Sequence, residues 1–194
     1  RAPRLPALRA AHPGSTLNLV TKLAQFDFAA EAADAAIHFG HADWPGAECL
    51  QLMGEDVVPA CAPSLRAEIG IASVADLRRA PLLHLTSRPD AWERYFRRHG
   101  VDDDNVHGML FDQFATAAQA AAVGLGVALL PTFLIEEEIA SGRLVRAWEA
   151  PMRSEESYHL CWPREQRDYP PLALFRDWLL AEARAFEARR DPPA

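Results

Sequence analysis

Hydroxyl and amide side chains gather at three places where a strand is expected to hand over to a helix. Val20-Thr21-Lys22 follows the apolar run Leu17-Asn18-Leu19-Val20. Leu85-Thr86-Ser87 follows Leu82-Leu83-His84, and Phe111-Asp112-Gln113-Phe114 opens an alanine-rich stretch. In open α/β sheets ligands collect at the carboxyl ends of strands, where helix N-termini present free N–H groups. Thr21, Thr86, Ser87 and Gln113 are therefore candidate polar contacts for a carboxylate or an amide. Capping and turn chemistry is the competing use of such residues, and Asp112 is assigned to it as a helix N-cap. Lys22 is the single lysine and stands beside the first of these places, where it can pair with an anion or remain solvated. Trp92 and Phe39 are aromatic candidates for a pocket wall; Phe39 is assigned to the core, and Trp92 is left between wall and core.

Other reactive combinations are weaker. His38, His41 and Asp43 lie close in sequence but match no metal-ligand spacing, and zinc needs three or four dependable ligands. No Gly-x-Ser-x-Gly elbow and no phosphate-cradling glycine loop is present. Gly124-Leu125-Gly126 follows a helix and precedes a strand, the reverse of the order a phosphate site requires. No cofactor and no catalytic residue is expected. Cys49, Cys61 and Cys161 cannot all pair with one another. That number suits a reducing compartment. Cys61 and Cys161 fall on two stretches expected to lie side by side, so a redox pair and two inert buried thiols are both open readings.

The elements that would hold these residues alternate. Leu5, Leu8 and Arg9 to His12 suit a short helix, which stops at Pro13-Gly14. A strand over Leu17–Val20, a helix over Asp27–Ala33 and a strand over Ala35–Phe39 read as a parallel βαβ unit. Cys49 to Cys61 is extended, with a break expected at Gly54. Ser73/Asp76 and Asp90/Glu93 have capping-box spacing. They open helices toward Arg79 and His99, on either side of a strand over Leu82–Leu85. A strand over Val106–Phe111, a helix over Phe114–Val123 and a strand over Val127–Leu130 follow. Thr132 is expected to cap a helix to Ala140, with Gly142 at its C′ position. Strands over Leu144–Trp148 and Ser157–Trp162 precede a final helix, where Leu172, Phe175, Leu179 and Phe186 recur at helical spacing. Strands alternating with helices throughout indicate an α/β fold.

With 194 residues, 49% of them hydrophobic and 24% charged, the chain can bury one large or two small cores. Its net charge of −7 argues against a surface built to grip phosphate backbones. Arg1 to Pro13 carries no signal-peptide core, and a segment upstream of Arg1 is expected, since the chain opens without Met inside an expected helix. Ala117 to Ile135 is long and apolar enough to suggest a membrane span, but Gly124, Gly126 and Pro131 interrupt it, and it is read as helix, turn and buried strand.

Five stretches, in order, resemble the LysR-type transcriptional regulator family. They are Leu5-Pro6-Ala7-Leu8-Arg9-Ala10-Ala11-His12-Pro13, Ala33-Asp34-Ala35-Ala36-Ile37-His38-Phe39-Gly40, Trp44-Pro45-Gly46, Val57-Val58-Pro59-Ala60-Cys61-Ala62-Pro63, and Ala121-Ala122-Val123-Gly124-Leu125-Gly126-Val127-Ala128-Leu129-Leu130-Pro131. Trp-Pro-Gly and Pro-x-Cys-x-Pro are most similar to the subgroup around the glycine-cleavage activator and the β-lactamase-inducing regulators. The resemblance implies a type 2 periplasmic-binding-protein-like fold: two α/β lobes, each with its own parallel-type sheet, joined by two crossover strands. Residues 1–60 with 162–194 would form lobe I and residues 61–161 lobe II, with the crossovers near Pro59–Cys61 and His159–Cys161. The first strand of lobe I and the family's winged helix-turn-helix domain would lie outside this chain.

By the same resemblance the chain is a cytoplasmic effector-binding module and not an enzyme, and a small-molecule effector occupies the cleft between the lobes. Thr21, Lys22, Thr86, Ser87, Trp92, Gln113 and Phe114 are the candidate effector contacts. A two-fold homodimer would form through Leu5, Leu8, His12, Leu17 and Leu19, with a tetramer in the complete protein, and DNA would be reached only through the absent N-terminal domain. Amino acids, aromatic acids and peptidoglycan fragments all suit as effectors. A periplasmic solute-binding protein of the same fold is the alternative, which a winged helix-turn-helix upstream of Arg1 would exclude. An enzyme with an unrecognised site is the third reading, and a base and nucleophile at hydrogen-bond distance would support it.

Overall fold

Short apolar runs separated by glycine, proline and capping residues give a mixed α/β chain in the computed structural model, which describes residues 5–11, 14, 16–22, 24–102 and 106–190. It divides into two units, Arg1–Gly54 with Glu156–Ala194, and Glu55–Glu155. Strands β2 (Ala47–Cys61) and β7 (Met152–Pro163) each belong to both.

The first unit contains α1 (Leu5–Ala11), α2 (Phe28–Glu31), β1 (Ala36–Gly40), the opening half of β2, the closing half of β7 and α7 (Pro170–Arg190). Asp27 caps α2, its Oδ1 accepting from the Ala29 amide at 3.0 Å. One core packs Leu172 and Ala183 of α7 against Leu52, Leu160 and Trp162, with Phe175 and Leu179 joining as the helical spacing requires. A second, around Phe28 and Trp44, includes Cys161. There the Trp44 ring meets Phe26 edge-on at 5.1 Å, and its Nε1 donates to the Phe26 carbonyl at 3.2 Å.

Two expectations fail in this unit. Leu17–Val20 takes up no strand, and Leu17, Leu19 and Val20 are 40%, 68% and 79% exposed. An apolar run becomes a strand only when a neighbour supplies the other half of its hydrogen bonds, and among the described residues none pairs with it. The parallel βαβ unit is accordingly not formed: β1 pairs antiparallel with β7, Ile37 opposite Leu160 and His38 opposite His159.

The second unit contains α3 (Pro63–Ile69), a 3-10 turn (Val74–Arg79), β3 (Leu82–Leu85), α4 (Ala91–Arg98), β4 (Gly108–Phe111), α5 (Phe114–Ala122), β5 (Val127–Pro131), α6 (Glu136–Ala140) and β6 (Val145–Arg146). Alternation along β3 sends Leu82 to one core with Leu77, Trp92, Tyr95 and Phe96. It sends Leu83 and Leu85 to another with Ala117, Ala121 and Leu130. Each large side chain so buried contributes about 1.5–3 kcal/mol. The strand order is β1-β7-β2-β5-β3-β4, with β6 beside β2. β3 pairs in parallel with β4 and β5, and β2 is antiparallel to β5 and β6. Two separate parallel-type sheets were expected, but the hydrogen-bonded path does not break, because β2 and β7 belong to both units. Nor does β2 break at Gly54.

Local capping follows sequence spacing at one box and departs from it at others. The Ser73/Asp76 box is present, Asp76 Oδ2 accepting from the Ser73 amide at 2.8 Å. The Ser73 hydroxyl and neighbouring amides hold the Asp76 carboxyl below its ordinary range. The Asp90/Glu93 box is not formed, since the Asp90 carboxylate turns to Arg94 at 3.4 Å. Asp112 does not cap α5; Gln113 occupies that position without a side-chain bond. Thr132 starts a short 3-10 turn, and Ile135 precedes α6. Gly142 follows α6 at φ 72°, which favours glycine. The apolar Ala117–Ile135 stretch is split between α5 and β5, and among the described residues no helix is long and apolar enough to cross a membrane.

Gly108 illustrates how tightly β3 and β4 approach. A Cβ there would lie 1.9 Å from the Leu82 carbonyl oxygen, a backbone atom that cannot swing away. Gly108→Ala is expected to destabilise the protein by about 1–3 kcal/mol in urea denaturation.

Acid should also weaken the fold. Burial, followed by the facing His159, lowers the His38 pKa, against an opposing pull from Asp43. Burial and then Arg98 do the same to His99. The unfolded chain therefore takes up these protons first as pH falls below about 6.5. Their share of stability is complete above that pH and is lost on acidification toward the lowered folded-state values. A thermal-melt series from pH 7.5 to 5 should show a falling midpoint, with a shallower slope in His38→Gln.

Candidate functional site

The three sequence-marked places separate into two groups. Those in the second unit come together. Strands β3 and β4 run parallel and end level, Leu85 opposite Phe111, so the residues that follow emerge side by side. The Thr86 amide donates to the Phe111 carbonyl at 2.9 Å, joining the two strand ends. Thr86 and Ser87 are exposed in the ensuing turn, which the Arg88 amide closes on the Leu85 carbonyl at 3.0 Å. Gln113 is exposed at the N-cap of α5, and Phe114 is half-buried in its first turn. Hydroxyls, an amide and the free N–H groups of a helix start are thus presented at the carboxyl ends of two parallel strands.

Beneath them lies a charge cluster that the sequence did not announce. Arg88 is 7% exposed and Glu55 is fully buried, and the guanidinium Nη1 donates to Glu55 Oε1. The same carboxylate oxygen accepts from the Ser154 hydroxyl at 3.0 Å. The guanidinium also stacks over the Phe114 ring, 4.5 Å from its centroid. Arg88 therefore ties the Thr86–Ser87 turn to β2 and α5, and Glu55 carries the link on to Ser154 of β7. In sequence Glu55 sat in an apparent break and Arg88 beside a proline, and nothing in either neighbourhood signals burial.

Trp92 stands differently from its candidate role. Its ring is 1% exposed, packed on Phe96, with Nε1 donating to the Leu83 carbonyl at 3.0 Å. It lines a cavity of about 20 Å³ with His84, Arg88, Met152 and Ser154. That volume holds a single water. His84 is nine-tenths buried, and its Nε2 has no hydrogen-bond partner. A larger groove of about 450 Å³ runs along α5, lined by Phe114, Ala118, Ala122, Leu130, Leu134 and Ile135.

In the first unit Thr21 and Lys22 are exposed on an irregular segment, and Lys22 Nζ pairs with Glu31 Oε2 at 2.8 Å. Both partners are about two-fifths exposed, at 43% and 40%, so the pair contributes only about 0–1 kcal/mol. Phe39 packs on Tyr158, with ring centroids 4.9 Å apart. Of the residues assigned to self-association, Leu17 and Leu19 are exposed, Leu5 is half-buried, Leu8 is buried at 7%, and His12 lies outside the described residues. Among the described residues no three His, Cys, Asp or Glu side chains gather as a metal site. The cysteines pair otherwise than envisaged: Cys161 joins Cys49, while Cys61 is alone and buried in the second unit. Burial pushes the Cys61 thiol up to about 11, against a smaller opposing pull from Arg66.

Comparison with known proteins gives this arrangement a family. The family model of the LysR substrate binding domain matches residues 2–184. The glycine cleavage system transcriptional activator of Escherichia coli (strain K12) is 35% identical over 185 residues, covering 94% of this chain and 60% of that protein. The transcriptional activator AmpR of Rhodobacter capsulatus is 33% identical over 181 residues, covering 93% and 61%. The chain therefore spans about three-fifths of the length of the curated relatives it matches. Among solved structures, the effector domain of AmpR from Pseudomonas aeruginosa superposes with a TM-score of 0.87 at 34% identity, over 97% of this chain and 90% of that one. The regulatory domain of CrgA from Neisseria meningitidis, at 18% identity and TM-score 0.77 over 94% of this chain and 91% of that one, shares the fold. That fold is type 2 periplasmic-binding-protein-like. By the match over nearly its whole length, the chain belongs to the LysR substrate-binding domain family.

Proposed function

We propose that this chain is the effector-binding and oligomerisation domain of a LysR-type transcriptional regulator, sensing a small molecule and passing its occupancy to a DNA-binding domain elsewhere in the protein. The observation that carries the reading is the family match over residues 2–184, in a chain whose second unit holds Thr86, Ser87 and Gln113 together at the ends of β3 and β4. A neutral or zwitterionic metabolite with a carboxylate or amide suits those groups. The relatives are transcriptional regulators, and the domain acts by binding and not by turnover.

A thermal-shift screen of amino acids, aromatic acids and peptidoglycan fragments tests this reading. A specific effector at about a hundred times its Kd should stabilise the protein by about 2.7 kcal/mol. Ser87→Ala or Gln113→Leu should weaken that effector by about tenfold, the worth of one hydrogen bond, while leaving the ligand-free midpoint unchanged. A shift untouched by either change would remove these residues from the site.

Self-association is the second half of the reading. Leu17 and Leu19 expose apolar surface that water disfavours, and a symmetric contact between two copies would cover it. Sedimentation velocity should show a dimer that Leu19→Glu converts to a monomer.

A further inference from the structure

Cys49 on β2 and Cys161 on β7 are joined by a disulfide spanning 112 residues of sequence, their Cα atoms 4.1 Å apart. The two differ in access. Cys161 is fully buried beside Phe28, Trp44 and Ala47, whereas Cys49 is half-buried at the edge of that cluster. The strands do not depend on the bond for their placement. β7 is held by its antiparallel ladder to β1, and Leu52 of β2 shares a core with Leu160, Trp162 and α7. Opening the disulfide would thus leave both sulfurs in reach of each other, as reversibility requires. Cys61 lies farther along β2, buried and without a disulfide partner.

We propose that Cys49 and Cys161 form a reversible thiol–disulfide switch, exchanging with low-molecular-weight thiols and disulfides of the glutathione type and entered at Cys49. In oxidation the Cys49 thiolate attacks one sulfur of the small disulfide, forming a mixed disulfide and releasing one thiolate. The Cys161 thiolate then attacks the Cys49 sulfur and expels the second. Two protein thiols lose two protons and two electrons, and one small disulfide becomes two thiols. Reduction runs backward, an external thiolate attacking Cys49 Sγ and freeing Cys161. The clip falls before β2 reaches Glu55 and after β7 leaves Ser154, the residues that anchor Arg88 and its turn. Oxidation restrains both strands; reduction lets them fluctuate.

The test uses the purified protein equilibrated in buffers of defined reduced-to-oxidised glutathione ratio, then acid-quenched, alkylated under denaturing conditions and weighed. The expected result is one two-electron transition from three free thiols to one, with Cys61 the survivor, complete within the native state in both directions. Hydrogen exchange at Leu50–Met53 and Ser157–Leu160 should slow by about tenfold or more on oxidation, as local opening is restrained. Cys49→Ser should lose the transition and the exchange difference together while keeping the wild-type circular dichroism. Should Cys49→Ser not fold, Cys49→Ala serves the same comparison. Three free thiols in oxidised glutathione, a bond that resists excess dithiothreitol until the protein unfolds, or an exchange difference that survives in the Cys49 variant would each overturn the proposal.

Discussion

Glu55→Leu is expected to lower the free energy of unfolding by about 3–5 kcal/mol, measured by urea denaturation. The magnitude follows from what stays behind. Glu55 is fully buried and Arg88 is 7% exposed, so the variant takes a charge-balancing carboxylate away from a guanidinium held inside the fold. Ser154 loses its acceptor as well. The double variant Glu55→Leu/Arg88→Met replaces both charges with apolar groups of similar length and should recover most of the loss, because the desolvation cost of the pair disappears with it. A double variant as unstable as Glu55→Leu alone would show that the pair itself stabilises the fold. The turn offers a second reading of the same cluster. Arg88 follows Ser87 directly and stacks on Phe114, so the double variant should bind effector more weakly even where its stability returns. Stability and recognition would then separate in one protein, as expected if the pair is kept for positioning.

Trp92→Ala should cost about 3–5 kcal/mol, the range for emptying a large aromatic site in a packed core. The indole meets Phe96 at 5.5 Å and Tyr95 at 5.9 Å between centroids, and burial leaves it 1% exposed. Its Nε1 bond to the Leu83 carbonyl anchors α4 to β3. Trp92→Phe keeps most of the volume and gives up that bond, so a smaller loss of about 1–3 kcal/mol is expected. Because the ring lies in the core, Trp92→Phe should leave effector affinity within about twofold of wild type by titration, a change of roughly 0.4 kcal/mol. A tenfold loss of affinity in Trp92→Phe would instead put Trp92 in the binding wall.

These cases mark where a linear reading works. Elements whose hydrogen bonds or apolar faces close within a few residues were legible: the Ser73/Asp76 box, the Gly142 stop and the long amphipathic α7 all stand as read. Strands were legible where neighbours exist to pair with them, as at Leu82–Leu85, and illegible at Leu17–Val20, where apolar pattern alone supplied no ladder. Competition among capping groups also escaped a local reading. Asp90 has capping-box spacing, yet Arg94 one turn on draws its carboxylate away. Of the candidate contacts, Thr86, Ser87 and Gln113 are exposed together at adjacent strand ends, since β3 and β4 end level. Trp92 is not exposed with them, because helical phase turns it into the core.

What the sequence determined by itself was the alternation of strands and helices, the family pattern from Leu5 to Pro131, and the polar residues that follow β3 and precede α5. Each depends on residues near one another in the chain. The tertiary structure alone decided that Glu55 meets Arg88 and Ser154, and that Cys161 pairs with Cys49 rather than Cys61. Those partners lie 33, 99 and 112 residues apart, and strand register, not local propensity, determines which distant side chains share a buried site.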